Sequence, residues 1–329
     1  MKGEIKQICV LVKDIYESMQ NYWDLLQIGP WDVRHFNSEN CSYFEVDGKQ
    51  LTEGFDFIAA VTSVGDIEFE LVQPIEGPNV YWDVLNNKGP CLHHFKVVLS
   101  DTDELKEYLN ELNHKGIVVT QTGYLDKDFH AYLGTEDMLG FIIEMGNAGT
   151  ISPAAEVFPQ IAIGAKKTKR SLNIRQIGIL VDDIEKYLKN FVSIFDMKPW
   201  NIYKFSPEYV SYFEVGEKQL TEGYEFITCC FKFGNMEVEL MQPVKGPNVY
   251  WDMLNKSGVG IHHVKDVMTN EELKHAVEDY KKSGINVLQC GHLDEDWHYY
   301  LDTKEKLSFT LELGNGGNIK DPVDRYPRN

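Results

Sequence analysis

The sequence predicts an α+β fold assembled from four repeats of one strand–helix–strand–strand–strand unit, and three observations lead there. The first is an internal repeat. GPNVYWDVLNNKGPCLHHFK (77–96) returns as GPNVYWDMLNKSGVGIHHVK (246–265), and SYFEVDGKQLTEGFDFI (42–58) as SYFEVGEKQLTEGYEFI (211–227). The second is its constant spacing of 169 residues, which drops to 168 after a one-residue deletion between His263 and Gly284, so the chain is a tandem duplication. The third is the order of patterns inside each copy. Strand-like and helix-like segments recur in the same sequence in both halves of a copy, without the β-α-β alternation of a doubly wound sheet.

The elements follow in order. QICVLV (7–12) is an apolar strand-like run, and in DIYESMQNYWDLL the residues Ile15, Met19, Tyr22 and Trp23 recur at helical spacing. Asp14 followed three residues later by Glu17 resembles a capping box, with Asp in place of Ser or Thr. Strands are expected around 42–47, 55–63 and 66–73. After GPNVYWD the order restarts, with HFKVVL as strand, DELKEYLNELNHKG as helix, and strands around 117–122, 129–133 and 140–146. The two copies span 1–148 and 170–316. Residues 149–169, mixing small residues, prolines and a basic run, read as a linker, and 317–329 as an irregular tail.

Composition limits the partners. At 43% apolar and 25% charged residues the chain is an ordinary globular protein with ample core material. A net charge of −19 argues against nucleic acid and anionic membranes and leaves small molecules. No stretch approaches the roughly 18 apolar residues of a membrane span. MKGEIKQ runs straight into a strand-like segment, so no signal peptide is expected. Six cysteines without CxxC spacing suggest reduced thiols and a cytoplasmic location.

Polar donors interrupt the apolar strands at repeated places. In IEFELV (67–72), Ile67, Phe69 and Leu71 form one face and set Glu68 and Glu70 on the other; in GFIIEMG (140–146), Glu144 lies opposite Phe141, Ile143 and Met145. His94 and Gln7 begin equivalent strands, and the second copy supplies Gln176, Glu239, His263 and Glu312. A single glutamate on a strand is usually a solvated face, and a single histidine is usually satisfied by a neighbour. Four nitrogen and oxygen donors at corresponding positions, all kept after duplication, point instead to a metal. Because neighbours in a strand face opposite ways, only one histidine of each HH pair is expected to reach such a site.

QICVLVKD, IGPW, FELVQP, GPCLHHFKV and FIIEMG, with their second-copy equivalents, resemble the vicinal oxygen chelate superfamily, which includes glyoxalase I and methylmalonyl-CoA epimerase. The resemblance spans nearly all of each copy. It implies paired βαβββ modules whose eight strands curl into a metal-lined funnel, two funnels per chain. It places ligands on Gln7, Glu70, His94 and Glu144, and on Gln176, Glu239, His263 and Glu312. His93 and His262 would then face away, beneath the helices. Such a set suits a divalent ion (Zn, Co, Mn, Ni or Mg) with positions left open. An open divalent ion polarises a substrate carbonyl so that a carboxylate removes the α-proton.

The resemblance thus implies a metal-dependent isomerase, an epimerase or racemase acting on a small carbonyl-containing molecule. Glu144 and Glu312 would be the bases, with Glu70 and Glu239 on the opposite side. Glu45 and Glu214, in YFEV, resemble a second carboxylate of the epimerase. Lys96 and Lys265 share the funnel side of their strands and would hold an anionic group, donate a proton, or pair with a structural carboxylate. His130 and His298 are either proton shuttles or simple strand histidines. The set Gln–Glu–His–Glu also matches some glyoxalases, which keeps a lyase acting on a thiol adduct open. A sequestration protein is a further reading, although such relatives typically lack the metal ligands. Extradiol dioxygenases share the four-module length, but they resemble a two-His, one-carboxylate site in the second half only, where this chain has Gln176; that counts against oxygen chemistry. Two-module relatives commonly dimerise, so a monomeric pseudo-dimer or a homo-oligomer is expected.

Overall fold

The computed structural model describes residues 1–154, 156–160 and 171–328. The chain divides into two units, Met1–Ser171 (with Lys306–Ser308) and Leu172–Glu305 (with Phe309–Asn329). The first unit runs β1 (Glu4–Leu11), α1 (Ile15–Leu26), β2 (Trp31–Asn37), β3 (Tyr43–Val46), β4 (Lys49–Gln50), β5 (Asp56–Val64), β6 (Ile67–Glu76), α2 (Trp82–Lys88), β7 (Cys91–Leu99), α3 (Thr102–His114), β8 (Val119–Leu125), β9 (Asp128–Leu133), α4 (Glu136–Leu139), β10 (Ile142–Asn147) and β11 (Glu156–Phe158). The second repeats this order as β12 (Ile174–Leu180), α5 (Ile184–Phe195), β13 (Trp200–Phe205), β14 (Tyr212–Val215), β15 (Lys218–Gln219), β16 (Glu225–Phe233), β17 (Met236–Lys245), α6 (Tyr250–Ser257), β18 (Gly260–Val267), α7 (Asn270–Lys282), β19 (Val287–Leu293), β20 (Asp296–Leu301), α8 (Lys304–Leu307), β21 (Thr310–Gly314) and β22 (Asp324–Tyr326).

Helix α1 starts where the capping signal predicts, because the Asp14 side chain accepts a hydrogen bond from Glu17 N and satisfies one orphan donor of the first turn. Its Ile15, Met19, Tyr22, Leu25 and Leu26 are each at most 5% exposed and face β5 and β6. Each such side chain contributes about 1.5–3 kcal/mol of burial, so the stripe rather than intrinsic propensity holds the helix in place. In α7 a complete capping box forms between Thr269 and Glu272.

Each unit carries its own mixed sheet and its own funnel. The first has the order β11-β2-β5-β6-β1-β7-β10-β9-β8-β3-β4 and the second repeats it as β22-β13-β16-β17-β12-β18-β21-β20-β19-β14-β15. Two four-stranded blocks, β2-β5-β6-β1 and β7-β10-β9-β8, meet at the antiparallel β1–β7 pair. These are the eight strands of the expected pair of βαβββ modules, and three short strands enlarge the sheet to eleven.

The short strands correct three expectations. The second strand of the first module is β2, not the 42–47 segment, which instead forms the hairpin β3–β4 and pairs with β8 at the far edge. WDVRHFN alternates weakly, and its buried positions Trp31, Val33 and Phe36 break the period of two between Val33 and Phe36. The linker 149–169 lies partly outside the described residues, but its Glu156–Phe158 stretch pairs with β2 as β11. The tail after residue 317 likewise provides β22, which pairs with β13. Both additions cover strand edges that would otherwise present unpaired N–H and C=O groups.

Candidate metal centre

The central strands bring the donors together. β1 runs parallel to β6 and antiparallel to β7, which sets Cys9 between Glu70 and His94, and Gln7 between Glu68 and Lys96. β10 lies on the other side of β7, with Glu144 opposite Lys96. The second copy repeats the arrangement, with Gly178 between Glu239 and His263.

His94 Nε2 is 2.9 Å from Glu144 Oε2 and 3.6 Å from Glu70 Oε2. In the second copy His263 Nε2 lies 2.8 Å from Glu312 Oε2, 3.6 Å from Glu239 Oε2 and 3.5 Å from Gln176 Oε1. All of these residues are at most 8% exposed. Gln7 Nε2 donates to Glu68 Oε2 at 3.4 Å and Gln176 Nε2 to Glu237 Oε1 at 2.6 Å, which orients both amides beside the cluster. Six of the eight expected residues, Gln7, Glu70, Glu144, Gln176, Glu239 and Glu312, line the two cavities, and His94 and His263 lie fully buried against their carboxylates.

The histidine pairs do not behave as strand alternation predicts. Cys9 pairs with His94 but Val10 pairs with Leu92, so His93 is the extra residue of a β-bulge; His262 occupies the same place between Ile261 and His263. The bulge turns both rings toward one another, with His93 Nδ1 2.8 Å from His94 Nδ1 and His262 Nδ1 3.2 Å from His263 Nδ1. His93 and His262 therefore support His94 and His263 instead of facing away from them.

This contact assigns the tautomers of the first copy. His93 Nε2 lies 3.4 Å from the Val80 carbonyl, which can only accept, so that nitrogen carries the proton. Burial, then the neighbouring His94, lowers the His93 pKa well below its ordinary value, so the ring is neutral and its Nδ1 is an acceptor. His94 Nδ1 must donate to it. When His94 is neutral, its Nε2 aims a lone pair at two carboxylates, an arrangement that a bound cation would stabilise.

Charge leads to the same conclusion. Glu70, Glu144 and Asp128 are three buried carboxylates facing one buried ammonium, Lys96; Glu239, Glu312 and Asp296 face Lys265 alike. Lys96 Nζ is 3.1 Å from Glu144 Oε1 and 3.3 Å from Asp128 Oδ1, and Lys265 repeats both distances to Glu312 and Asp296. The excess negative charge shifts the proton affinities of these groups. Burial, then Glu312, pushes Glu239 well above the carboxylate range, and burial also raises Asp296. Burial alone would lower His94, but Glu144 and Glu70 outweigh it and its pKa rises. For Glu144 and Glu312 burial is outweighed by the adjacent lysine and histidine, so both stay ionised. Glu70 Oε2, His94 Nε2 and Glu312 Oε2 are buried without a hydrogen-bond partner, despite the close histidine–carboxylate approaches. Orphaned donor atoms converging in a site short of positive charge fit a divalent cation.

The first funnel encloses a cavity of about 920 Å³ and the second about 430 Å³. Bulkier side chains narrow the second: Tyr203, Thr228 and Lys232 stand where the first has Arg34, Ala59 and Ser63. Asp128, His130 and Tyr132 line the first cavity from alternate positions of β9, and Asp296, His298 and Tyr300 the second from β20. Tyr132 hydrogen-bonds Tyr81 at 2.7 Å and stacks edge-on against His94. Burial pushes the phenols of Tyr81 and Tyr132 well up, so they remain neutral donors. The aspartates and tyrosines were not singled out from sequence, although DFHAYL and DWHYYL place all three polar residues at period two.

Glu45 and Glu214 require correction. They line neither cavity. Phe44 and Phe213 turn into the core, so the adjacent glutamates point the other way, where Tyr43 OH and Tyr212 OH donate to them.

The sequence profile of the Glyoxalase/Bleomycin resistance protein/Dioxygenase superfamily matches residues 6–132 and 175–300, once per copy. The chain belongs to this superfamily. No curated protein sequence matches it. Among solved structures of this superfamily's fold, a variant of 4-hydroxymandelate synthase from Streptomyces coelicolor superimposes with a TM-score of 0.59 at 11% identity, covering 98% of this chain and 95% of that one. 2,2',3-Trihydroxybiphenyl 1,2-dioxygenase from Sphingomonas wittichii strain RW1 gives 0.53 at 15% identity, covering 98% and 93%. A Mn(II)-bound glyoxalase from Novosphingobium aromaticivorans gives 0.52 at 10% identity, covering 98% and 85%. These likenesses establish the superfamily fold and do not separate its chemistries, so the expectation against ring cleavage rests on the ligand set alone. Among the described residues no helix is long and apolar enough to cross a membrane.

Proposed function

We propose that the protein is a metal-dependent isomerase that moves the proton α to a carbonyl of a small molecule, with one site in each funnel. The supporting observation is the arrangement of two carboxylates, Glu70 and Glu144, on either side of the His94 Nε2 lone pair, repeated by Glu239 and Glu312 around His263. Gln7, Glu70, His94 and Glu144 would hold a divalent cation, as would Gln176, Glu239, His263 and Glu312. When bound, such an ion polarises the substrate carbonyl and acidifies its α-proton.

The chain's own residues supply the rest. Lys96 and Lys265 keep Glu144 and Glu312 anionic and so able to accept a proton. Glu70 and Glu239, carried on β6 and β17, would be the partner carboxylates on the other side of each site. Arg34 and Lys6 at the first cavity, and Arg175 and Lys232 at the second, offer cationic contacts to an anionic substrate group.

The test is solvent-deuterium incorporation into α-carbonyl acids, thioesters and ketones by metal-loaded protein, compared with a Glu144→Gln, Glu312→Gln double variant. Exchange in the parent alone supports the reading. Release of a free thiol from a thiol adduct would instead favour the lyase that the Gln–Glu–His–Glu set also allows. Oxygen uptake with a catechol would replace both.

A further inference from the structure

The two funnels differ at one position in the floor of the site. Cys9 sits between Glu70 and His94 in strand register, fully buried, with its Sγ, a Glu70 oxygen and a His94 nitrogen all within 4.8 Å of one another. The equivalent residue in the second copy is Gly178, and the corresponding donor cluster there is Glu239, His263 and Glu312. A Cβ at Gly178 would lie 2.0 Å from His263 Cε1, so the imidazole occupies the space that a side chain would need. The second site therefore has no room for a sulfur without moving its histidine, whereas the first is built around one. Glu70 Oε2 and His94 Nε2, beside Cys9, are both buried without a hydrogen-bond partner.

We propose that Cys9 is a metal ligand of the first site, making it a mixed sulfur–nitrogen–oxygen centre for a thiophilic divalent ion, while the second site binds its ion through nitrogen and oxygen only. The inference rests on the reading of both funnels as cation sites. Sulfur ligation shifts preference toward zinc, cobalt or cadmium, and an oxygen-rich site with one imidazole accommodates manganese or magnesium. Ligation breaks the S–H bond, and the proton leaves to solvent as the sulfur–metal bond forms. One chain would then hold two different ions.

Cobalt(II) is the probe. Metal-free protein loaded with Co²⁺ should take up two ions and show a sulfur-to-cobalt charge-transfer band in the near ultraviolet. His263→Ala should keep the band, and Cys9→Ser should lose it while the second ion still binds. Cys9→Gly, which installs the second copy's own residue, serves if the serine variant does not fold. The preference of the first site for Cd²⁺ over Mn²⁺ should fall at least tenfold in either variant. Two bound cobalt ions without the band, or a band that survives removal of Cys9, overturn the inference and leave the metal reading standing. No cobalt uptake overturns both.

Discussion

His93 and His94, adjacent in sequence, place their Nδ1 atoms 2.8 Å apart inside the first funnel because a bulge puts both rings on one side of the strand. One ring thereby fixes the proton of the other. With the second site emptied by His263→Ala, replacing His93 by Ala should weaken divalent-metal binding by about 10–100-fold, the usual effect of losing a partner that orients a ligand histidine. Titration with Co²⁺ by calorimetry measures this, and unchanged affinity would show that His94 needs no orientation from its neighbour.

Lys96 bridges Glu144 and Asp128 from a buried position. Lys96→Met removes the buried ammonium that bridges those two carboxylates. It should cost about 3–5 kcal/mol, the range for breaking a buried pair. Urea unfolding of metal-free protein gives the number, and a loss below about 1 kcal/mol would mean that water reaches the pair.

Bound metal should stabilise the fold. At a free concentration of 100 times the dissociation constant each site contributes about 2.7 kcal/mol. Thermal unfolding should therefore shift upward on adding Mn²⁺, Co²⁺ or Zn²⁺ to chelator-treated protein. His94→Ala with His263→Ala should abolish the shift, and a shift that persists would place the ions elsewhere.

Much of this architecture is legible in the sequence, because duplication repeats each signal. The stripe of α1 and its Asp14 cap located the helix, and the polar residues that break the apolar strands are the ones found buried together in each funnel. What was hidden depends on register. Nothing local marks the bulge at His93, since it exists only relative to β1. YFEV reads as a module strand until its pairing with β8, and in the second copy with β19, is known; Glu45 and Glu214 there lie outside both cavities. Cys9 reads as one more apolar residue of QICVLV, because its carboxylate neighbour is on a strand about sixty residues away.

Burial lowers His298 to about 4, from an ordinary value of 6.5. Between those values the unfolded chain binds a proton that the folded chain refuses, so stability falls as pH drops from 6.5 toward 4 and levels off below. A single such group accounts for about 3 kcal/mol over that window. His298→Gln should flatten that part of the curve, measured by chemical unfolding at several pH values, and an identical slope would show that His298 titrates normally.

Each sheet ends in strands of two or three residues, β11 and β4 in the first and β22 and β15 in the second. An eleven-stranded sheet ending in long bare strands would template the addition of further chains, growing edge to edge into insoluble assemblies. These fragments leave too short a ladder for a neighbour to extend, and β4 and β15 add an exposed lysine to each, Lys49 and Lys218. The segments read as linker and tail therefore help guard against aggregation, and trimming the chain at residue 317 to obtain a shorter protein would uncover β13 and invite precipitation.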